Sequence, residues 1–343
     1  MDWTDQLKGD PLTGLFESNL ANIRYLAQRD LLDASPGDAR LLSDRQEAHT
    51  SGPIQDILNA MQPEGFWVKP GAGYNPKYRA TVWSLILLSQ LGASVEEDAR
   101  IQQACLYLLD HALSRGGKFS YNGPPSGTID CLQGNLCWAL TRLGCNDERL
   151  VGAYDWLARS VTGEGIAPRQ ETSAPERYYS AKSGPLFECG ANGYTSCAWG
   201  AVKVMLALSL VPPEIRNATM KQAVRLGLDF LLGIDPATAA YPSPSGKPNL
   251  SWWKFGFPVF YVTDLLQLAE ALLAFLPGND PRLSNLLVLI REKQDVDGFW
   301  PMEYSLTGKT WVDFGPKGKP NPWVTLRALR VFKMAGSPSR PGL

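Results

Sequence analysis

Asp130 and Cys131 stand side by side, and Cys189, Cys197 and Asp264 follow in a chain that has only two histidines. Carboxylates and thiols transfer protons, attack carbon or bind soft metals. Asp130, Cys131, Cys197 and Asp264 fall where the sequence predicts helix starts, and the unpaired N–H groups of a helix start favour a carboxylate or a thiolate. N-capping alone would explain the aspartates but neither cysteine. Asp264 and Asp130 are therefore the acid/base candidates, with Cys131 and Cys197 as the thiols beside them. A tetrahedral set of Cys131, Cys189, Cys197 and Asp264 is chemically reasonable for zinc, although the spacing matches no recognised metal signature. A reactive metal-free thiol, or purely structural cysteines, are the other readings. The sequence requires no cofactor, and zinc or magnesium are the metals it leaves open. A further acid pair, Asp295 and Asp297, lies in "KQDVDGFW" (293–300), the kind of Asp-x-Asp cluster that protonates an alkene.

Aromatic residues crowd the same neighbourhood: Trp83, Trp199, Trp253, Phe257, Tyr261 and Trp323. Each aromatic face stabilises a desolvated cation by roughly 0.5–2 kcal/mol, which suits a carbocation. The run "WWKFGFPVFY" (252–261) has no helical period and is expected to form a cavity wall or lid. Lys77, Arg79 and Lys254 are the cations best placed to meet a diphosphate. No Walker loop or dinucleotide fingerprint occurs, and "GKT" at 308–310 lacks the glycine that would make it one.

These residues must be positioned by helices. "EDARI" (97–101), "NDERL" (146–150) and "NDPRL" (279–283) repeat Asp-x-Arg before an aliphatic residue, each after a run ending in Leu-Gly or Leu-Pro-Gly. Asp98, Asp147 and Asp280 are predicted to cap helix starts, and "PPEIR" (212–216) reads as a degenerate copy. The spacing predicts an array of helix hairpins. Outer helices with mixed polar faces are expected near 54–62, 97–114, 146–160, 215–232 and 282–293. Inner helices, apolar on most sides, are expected near 78–91, 129–143, 195–210, 259–275 and 322–334. One more pair fits within 11–34. Five or six pairs closing into an (α/α) toroid give an all-α, single-domain chain over 1–343. The inserts 161–192 and 234–256 should then lie over the cavity mouth.

Composition agrees with a globular chain: 44% hydrophobic, 20% charged and a net charge of −1, which gives nucleic acid nothing to bind. No apolar run reaches membrane-spanning length, and "MDWTDQLKGD" does not read as a signal peptide, so the expected location is cytoplasmic. Cys105 and Cys137 lie in apolar runs and read as core residues.

"Q294-D-V-D-G298-F-W300", with the shorter "Q62-P-E-G65-F-W67", resembles the QW repeat (Gln-x3-Gly-x-Trp) of squalene and oxidosqualene cyclases. The chain as a whole resembles the prenyltransferase/squalene-cyclase superfamily of toroids. Its segments "CLQGNLCWALTRLG", "CAWGAVK" and "NPWVTLRALRVFK" look like those of a single-domain bacterial and archaeal subgroup. The resemblance implies that Gln294, Gly298 and Trp300 are architectural, with Asp295 and Asp297 as surface turn residues. The Asp-x-Asp-Asp acid of class II cyclases is missing. Protein prenyltransferases hold zinc through Asp, Cys and His, yet His49 and His111 do not match that ligand, and only Cys189 or Cys197 could replace it. Four functions are thus compatible with the chain. One is a cyclase-like or prenyltransferase-like enzyme acting on an isoprenoid or other extended apolar substrate. The others are a zinc-dependent transferase, a glycan-active barrel using Asp130 and Asp264 as paired carboxylates, and a non-catalytic lipid carrier or scaffold. Oligomeric state is left open.

Overall fold

The computed structural model describes residues 3–337, and among them it holds thirteen α-helices with only two-residue strands. Six helices form an inner ring: α2 (Ala21–Leu31), α5 (Thr81–Gln90), α7 (Asp130–Arg142), α9 (Ala198–Ser209), α11 (Leu265–Leu273) and α13 (Pro322–Gly336). Neighbours in this list pack together from α5 to α13, and α13 returns to α2. The ring closes where the Asn22 amide donates to Leu91 O (3.1 Å) and Gly92 sits against Tyr25 and Leu26. The outer layer comprises α3 (Ala39–Thr50), α4 (Gly52–Asn59), α6 (Ala99–Ala112), α8 (Arg149–Thr162), α10 (Ala218–Leu231) and α12 (Ser284–Glu292), with the short α1 (Pro11–Phe16) beside α2. The protein is an all-α, six-hairpin (α/α) toroid.

Sequence pattern explains the two layers. Nine of the ten residues of α5 are buried, as an element walled in by protein on every side requires. By contrast α12 buries only Leu286 and Ile290, along one stripe. The Asp-x-Arg repeat works as expected. Asp98, Asp147 and Asp280 each accept the N–H of the arginine two residues on, at 2.9–3.0 Å, and each also ion-pairs with that arginine's side chain. The degenerate copy differs, since Asn217 caps α10 and Arg216 instead donates to Val211 O. The sixth pair is real, but its outer partner α3 lies beyond the 11–34 window. His49 lies on this helix, and its ring is held between Arg45 O and Ser94 N.

A Gly-x-aromatic turn ends three outer helices in the same way. Trp67 and Trp300 each donate their indole N–H to a carbonyl ten residues earlier, Ile57 and Ile290, both at 2.7 Å. Their backbone N–H groups go to Thr81 and Thr325 at the starts of the next inner helices (3.2 and 3.0 Å). Phe119 makes the equivalent backbone bond to Gln133 (2.8 Å). Gly298 has φ +95°, and a Cβ there would lie 2.4 Å from Lys8 O, so this turn admits only glycine. Gln294 donates to Gly298 O (2.9 Å) and Lys8 O (3.1 Å) and accepts from Lys8 N (2.9 Å), pinning the N-terminal segment to the last repeat. Trp3 packs on Gly336 nearby. Asp295 accepts from Asp297 N and Phe299 N, while Asp297 is exposed. Both aspartates are turn residues at the surface, as the resemblance implies.

From α4 onward every outer-to-inner connection is long, including 163–197 and 232–264, whereas the inner-to-outer turns, such as 91–98 and 143–148, are short. The long connections therefore share one face of the ring, at the N-terminal ends of the inner helices.

Candidate functional site

Seven rings form a continuous aromatic mouth on that face. Tyr74 touches Trp83 (4.9 Å between centroids) and Tyr121 (5.6 Å), and Tyr78 touches Trp83, Phe260 and Tyr261. Trp199 reaches Tyr261 at 6.5 Å. Burial pushes the Tyr74 and Tyr78 phenols up, so both stay neutral donors. Lys77 lies 4.5 Å over the Tyr261 ring, and Lys182 lies 5.3 Å over Tyr121. Of the predicted binding residues, Trp83, Trp199, Tyr261 and Lys77 thus meet here. Lys254 is exposed and lines the adjoining recess with Tyr78, Tyr261 and Tyr304.

The others have structural duties. Trp253 donates to Ala237 O (3.2 Å), which ties it to the outer linker before α11. Phe257 stacks on Trp323 at 4.5 Å, with Phe314 edge-on, as a buried aromatic block at the start of α13. Arg79 donates to Gly308 O and Thr310 O and lies over Trp311, so it braces the 308–311 loop.

The aromatic run is a wall that enters the ring. β3 (Gly256–Phe257) pairs in parallel with β4 (Tyr304–Ser305), and the chain then dips inward. Val259 exchanges two bonds with the Gln90 amide at the end of α5 (2.9 and 2.8 Å), and Phe260 O accepts from Asn135 on α7 (3.3 Å). Residues 256–263 form a plug between the aromatic mouth and the far half of the ring.

The predicted acid and thiol set divides in two. Asp264 caps α11 by accepting from Gln267 N (2.9 Å), and both its oxygens accept from Arg327 at 2.7 Å. Both partners of this ion pair are buried. Asp264 is thus committed to Arg327, which removes it both as the leading acid and as a zinc ligand. Asp130, Cys131, Cys189 and Cys197 do assemble. Gly200 on α9 faces this group, and a Cβ there would make ordinary contact with Asp130 and Cys197, at 3.8 and 3.9 Å. Ser160 and Ser183 both donate to Asp130 Oδ1, at 2.9 and 2.6 Å. Burial pushes the Asp130 carboxyl up to about 7 despite these bonds. The half-buried Cys131 thiol is pushed up to about 12 by desolvation.

Cys189 lies on β1 (Glu188–Cys189), which pairs antiparallel with β2 (Thr195–Ser196) just before Cys197. The Cys189 and Cys197 thiols interact, which lowers the Cys189 pKa and raises that of Cys197. Among the described residues no three His, Cys, Asp or Glu side chains are grouped as metal ligands. The four-residue zinc set therefore does not form.

The far half of the ring, beyond the plug, is lined by charged residues, unlike the aromatic mouth. Its inner part is lined by residues including Gln90, Trp138, Arg142, Lys203, Glu270 and Arg327. It continues past Arg142, Glu270 and Arg330 to an open end near Arg29, Asp30 and Lys333. Lys203 is buried and donates to Gln267, and burial lowers its pKa to about 7. Burial alone would raise the Asp30 carboxyl, yet Arg330, Arg29 and Arg142 hold it well below the usual range. The signal for this chamber is present in the sequence as charges inside apolar runs: Lys203 in "AVKVML", Glu270 in "LAEALL" and Arg327 in "TLRAL".

No family model matches the chain, and no curated protein matches it. Solved structures do. A protein from Actinoplanes is 13% identical, with 86% of this chain and 99% of that chain covered and a TM-score of 0.32. The type II terpene cyclase MstE from Scytonema is 14% identical, covering 86% and 98%, with a TM-score of 0.32. The unsaturated glucuronyl hydrolase from Bacillus sp. GL1, described as responsible for glycosaminoglycan degradation, is 14% identical, covering 96% and 85%, with a TM-score of 0.41. The overlap is loose in each case. Among the described residues no helix is long and apolar enough to cross a membrane.

Proposed function

We propose that the protein is an enzyme acting on an isoprenoid, or a comparably extended apolar molecule, at the aromatic mouth, with Asp130 as its acid. The observation that carries this reading is a buried carboxyl at the start of α7 that accepts from two hydroxyls and that burial pushes up to about 7. The next residue, Cys131, interacts with Tyr74 in the mouth wall. An acid in that state can give its proton to an alkene carbon, which leaves a carbocation on the neighbouring carbon. The rings of Tyr74, Trp83, Trp199 and Tyr261 would face that cation. The new carboxylate would be stabilised by the Ser160 and Ser183 hydroxyls that already point at Oδ1. Loss of a proton from carbon, taken up by the same carboxylate, completes the cycle. Lys77 and Lys254 could meet a charged end of the substrate at the rim.

Incubation of purified protein with farnesyl diphosphate, geranylgeranyl diphosphate and squalene, followed by product analysis, tests the proposal. Turnover is expected with at least one of them, and Asp130→Asn should abolish it while leaving the circular dichroism spectrum unchanged. Because the acid must be protonated, activity should fall as pH rises through about 7. An apolar molecule that co-purifies but is never converted would make the protein a carrier instead. Unchanged turnover in Asp130→Asn would remove Asp130 from the chemistry.

A further inference from the structure

The charged chamber beyond the plug holds more cations than acids, and one of its guanidinium groups is engaged by none of those acids. Arg327 is matched by Asp264, Arg29 and Arg330 by Asp30, and Lys333 by Asp33. Lys203 has the Gln267 amide oxygen. Arg142 has none of these: exposed towards the open end, its guanidinium makes among the described residues no hydrogen bond or ion pair, lies 5.8 Å from the Trp138 ring centroid and acts on Asp30 only at longer range. An arginine in the last turn of a helix commonly binds the terminal carbonyls, but Arg142 does not, and it lines both parts of the chamber. Glu270, one wall across, is the chamber's one acid without a partner side chain, and burial favours its neutral, hydrogen-bond-donating form. A free guanidinium fork, a buried ammonium deeper in, an indole face and a neutral carboxyl describe a site for a hydroxylated oxyanion. Nothing in this arrangement serves an isoprenoid.

We propose that this chamber binds a small organic anion bearing carboxylate or phosphate groups, which pairs with Arg142 and hydrogen-bonds to Glu270 from the open end. The site is independent of the aromatic mouth, from which residues 256–263 separate it. Titration calorimetry at constant ionic strength, with citrate and with inorganic pyrophosphate as probes, tests it and tells a carboxylate site from a phosphate site. One probe at least should bind saturably at one site. Arg142→Gln should weaken that binding about tenfold or more, the loss expected for one charged hydrogen-bonded contact, and Arg142→Lys should recover part of it. Glu270→Gln keeps a donor and deletes the potential negative charge, so it should bind equally or more tightly. Lys247→Ala, an exposed cation outside the chamber, should leave the affinity unchanged. Absence of saturable binding by both probes would overturn the proposal. So would equal affinity in wild type and a folded Arg142→Gln. Should Arg142→Gln not fold, a many-fold loss of binding in Glu270→Gln would overturn it.

Discussion

Asp264 shows how a residue's role depends on a partner the sequence does not place beside it. It begins an inner helix, as Asp130 does, and by type and position the two are equal candidates for acid chemistry. Arg327 lies 63 residues later on a different helix, and only the closed ring brings its guanidinium onto both Asp264 oxygens. Removing one member of a buried, hydrogen-bonded ion pair leaves the other uncompensated, at a cost of about 3–5 kcal/mol. Asp264→Ala should therefore lower the unfolding free energy by about that amount in urea titrations. A loss below about 1 kcal/mol would mean the pair is relaxed or hydrated. Asp130 stands out in the sequence as a candidate from its place beside Cys131. Its hydroxyl partners Ser160 and Ser183 do not, because they come from α8 and from the loop before α9. The charges of the far chamber were visible as single letters in apolar runs, but a run read for its average hydrophobicity hides them.

The elements themselves were largely legible, since burial on one face or on all faces leaves a period in the sequence. The inner helices near 78–91, 129–143 and 322–334 are observed at 81–90, 130–142 and 322–336. The outer helix α3 escaped notice because "ARLLSDRQEAHT" buries few apolar side chains, and its buried Asp44 is satisfied by Arg24 and Gln28. Close approach of helices is equally hard to read in advance. On α7, Gly134 faces the α9 backbone, and an added Cβ would sit 2.6 Å from Lys203 C and 2.8 Å from Val204 N. The contact atoms are main chain and cannot rotate away. Gly134→Ala should thus separate α7 from α9 at a cost of about 1–3 kcal/mol, despite alanine's better helix propensity. Gly37→Ala, with nothing within 4 Å, is the control expected to leave the thermal midpoint unchanged. Equal midpoints for the two variants would show that the α7–α9 seam is loose.

The whole molecule has two unlike ends. Long connections gather at the N-terminal face of the inner ring and build the aromatic mouth, while short turns leave the other face as an open, charged chamber. This asymmetry follows from chain direction alone, because every inner helix is entered from the same side. Hairpin repeats predict a ring, but they carry no information about a loop that turns into its centre. The plug at 256–263 therefore had to be seen in three dimensions, although its aperiodic composition marked it as something other than a helix. Its bonds to Gln90, Asn135 and Arg327 reach three separate inner helices.

The clamp of Gln294 on Lys8, together with the packing of Trp3 on Gly336, has a topological corollary. The first and last described residues are neighbours, so the ring has no structural beginning, only a point at which the chain happens to be cut. A circular permutant should fold to the same ring if residues 1 and 343 are joined and new ends are opened at the exposed Ser245–Gly246 bond. Its circular dichroism spectrum should match that of the parent, with a thermal midpoint within a few degrees. Failure to fold would show that the order in which the hairpins are joined matters, and not their closure alone.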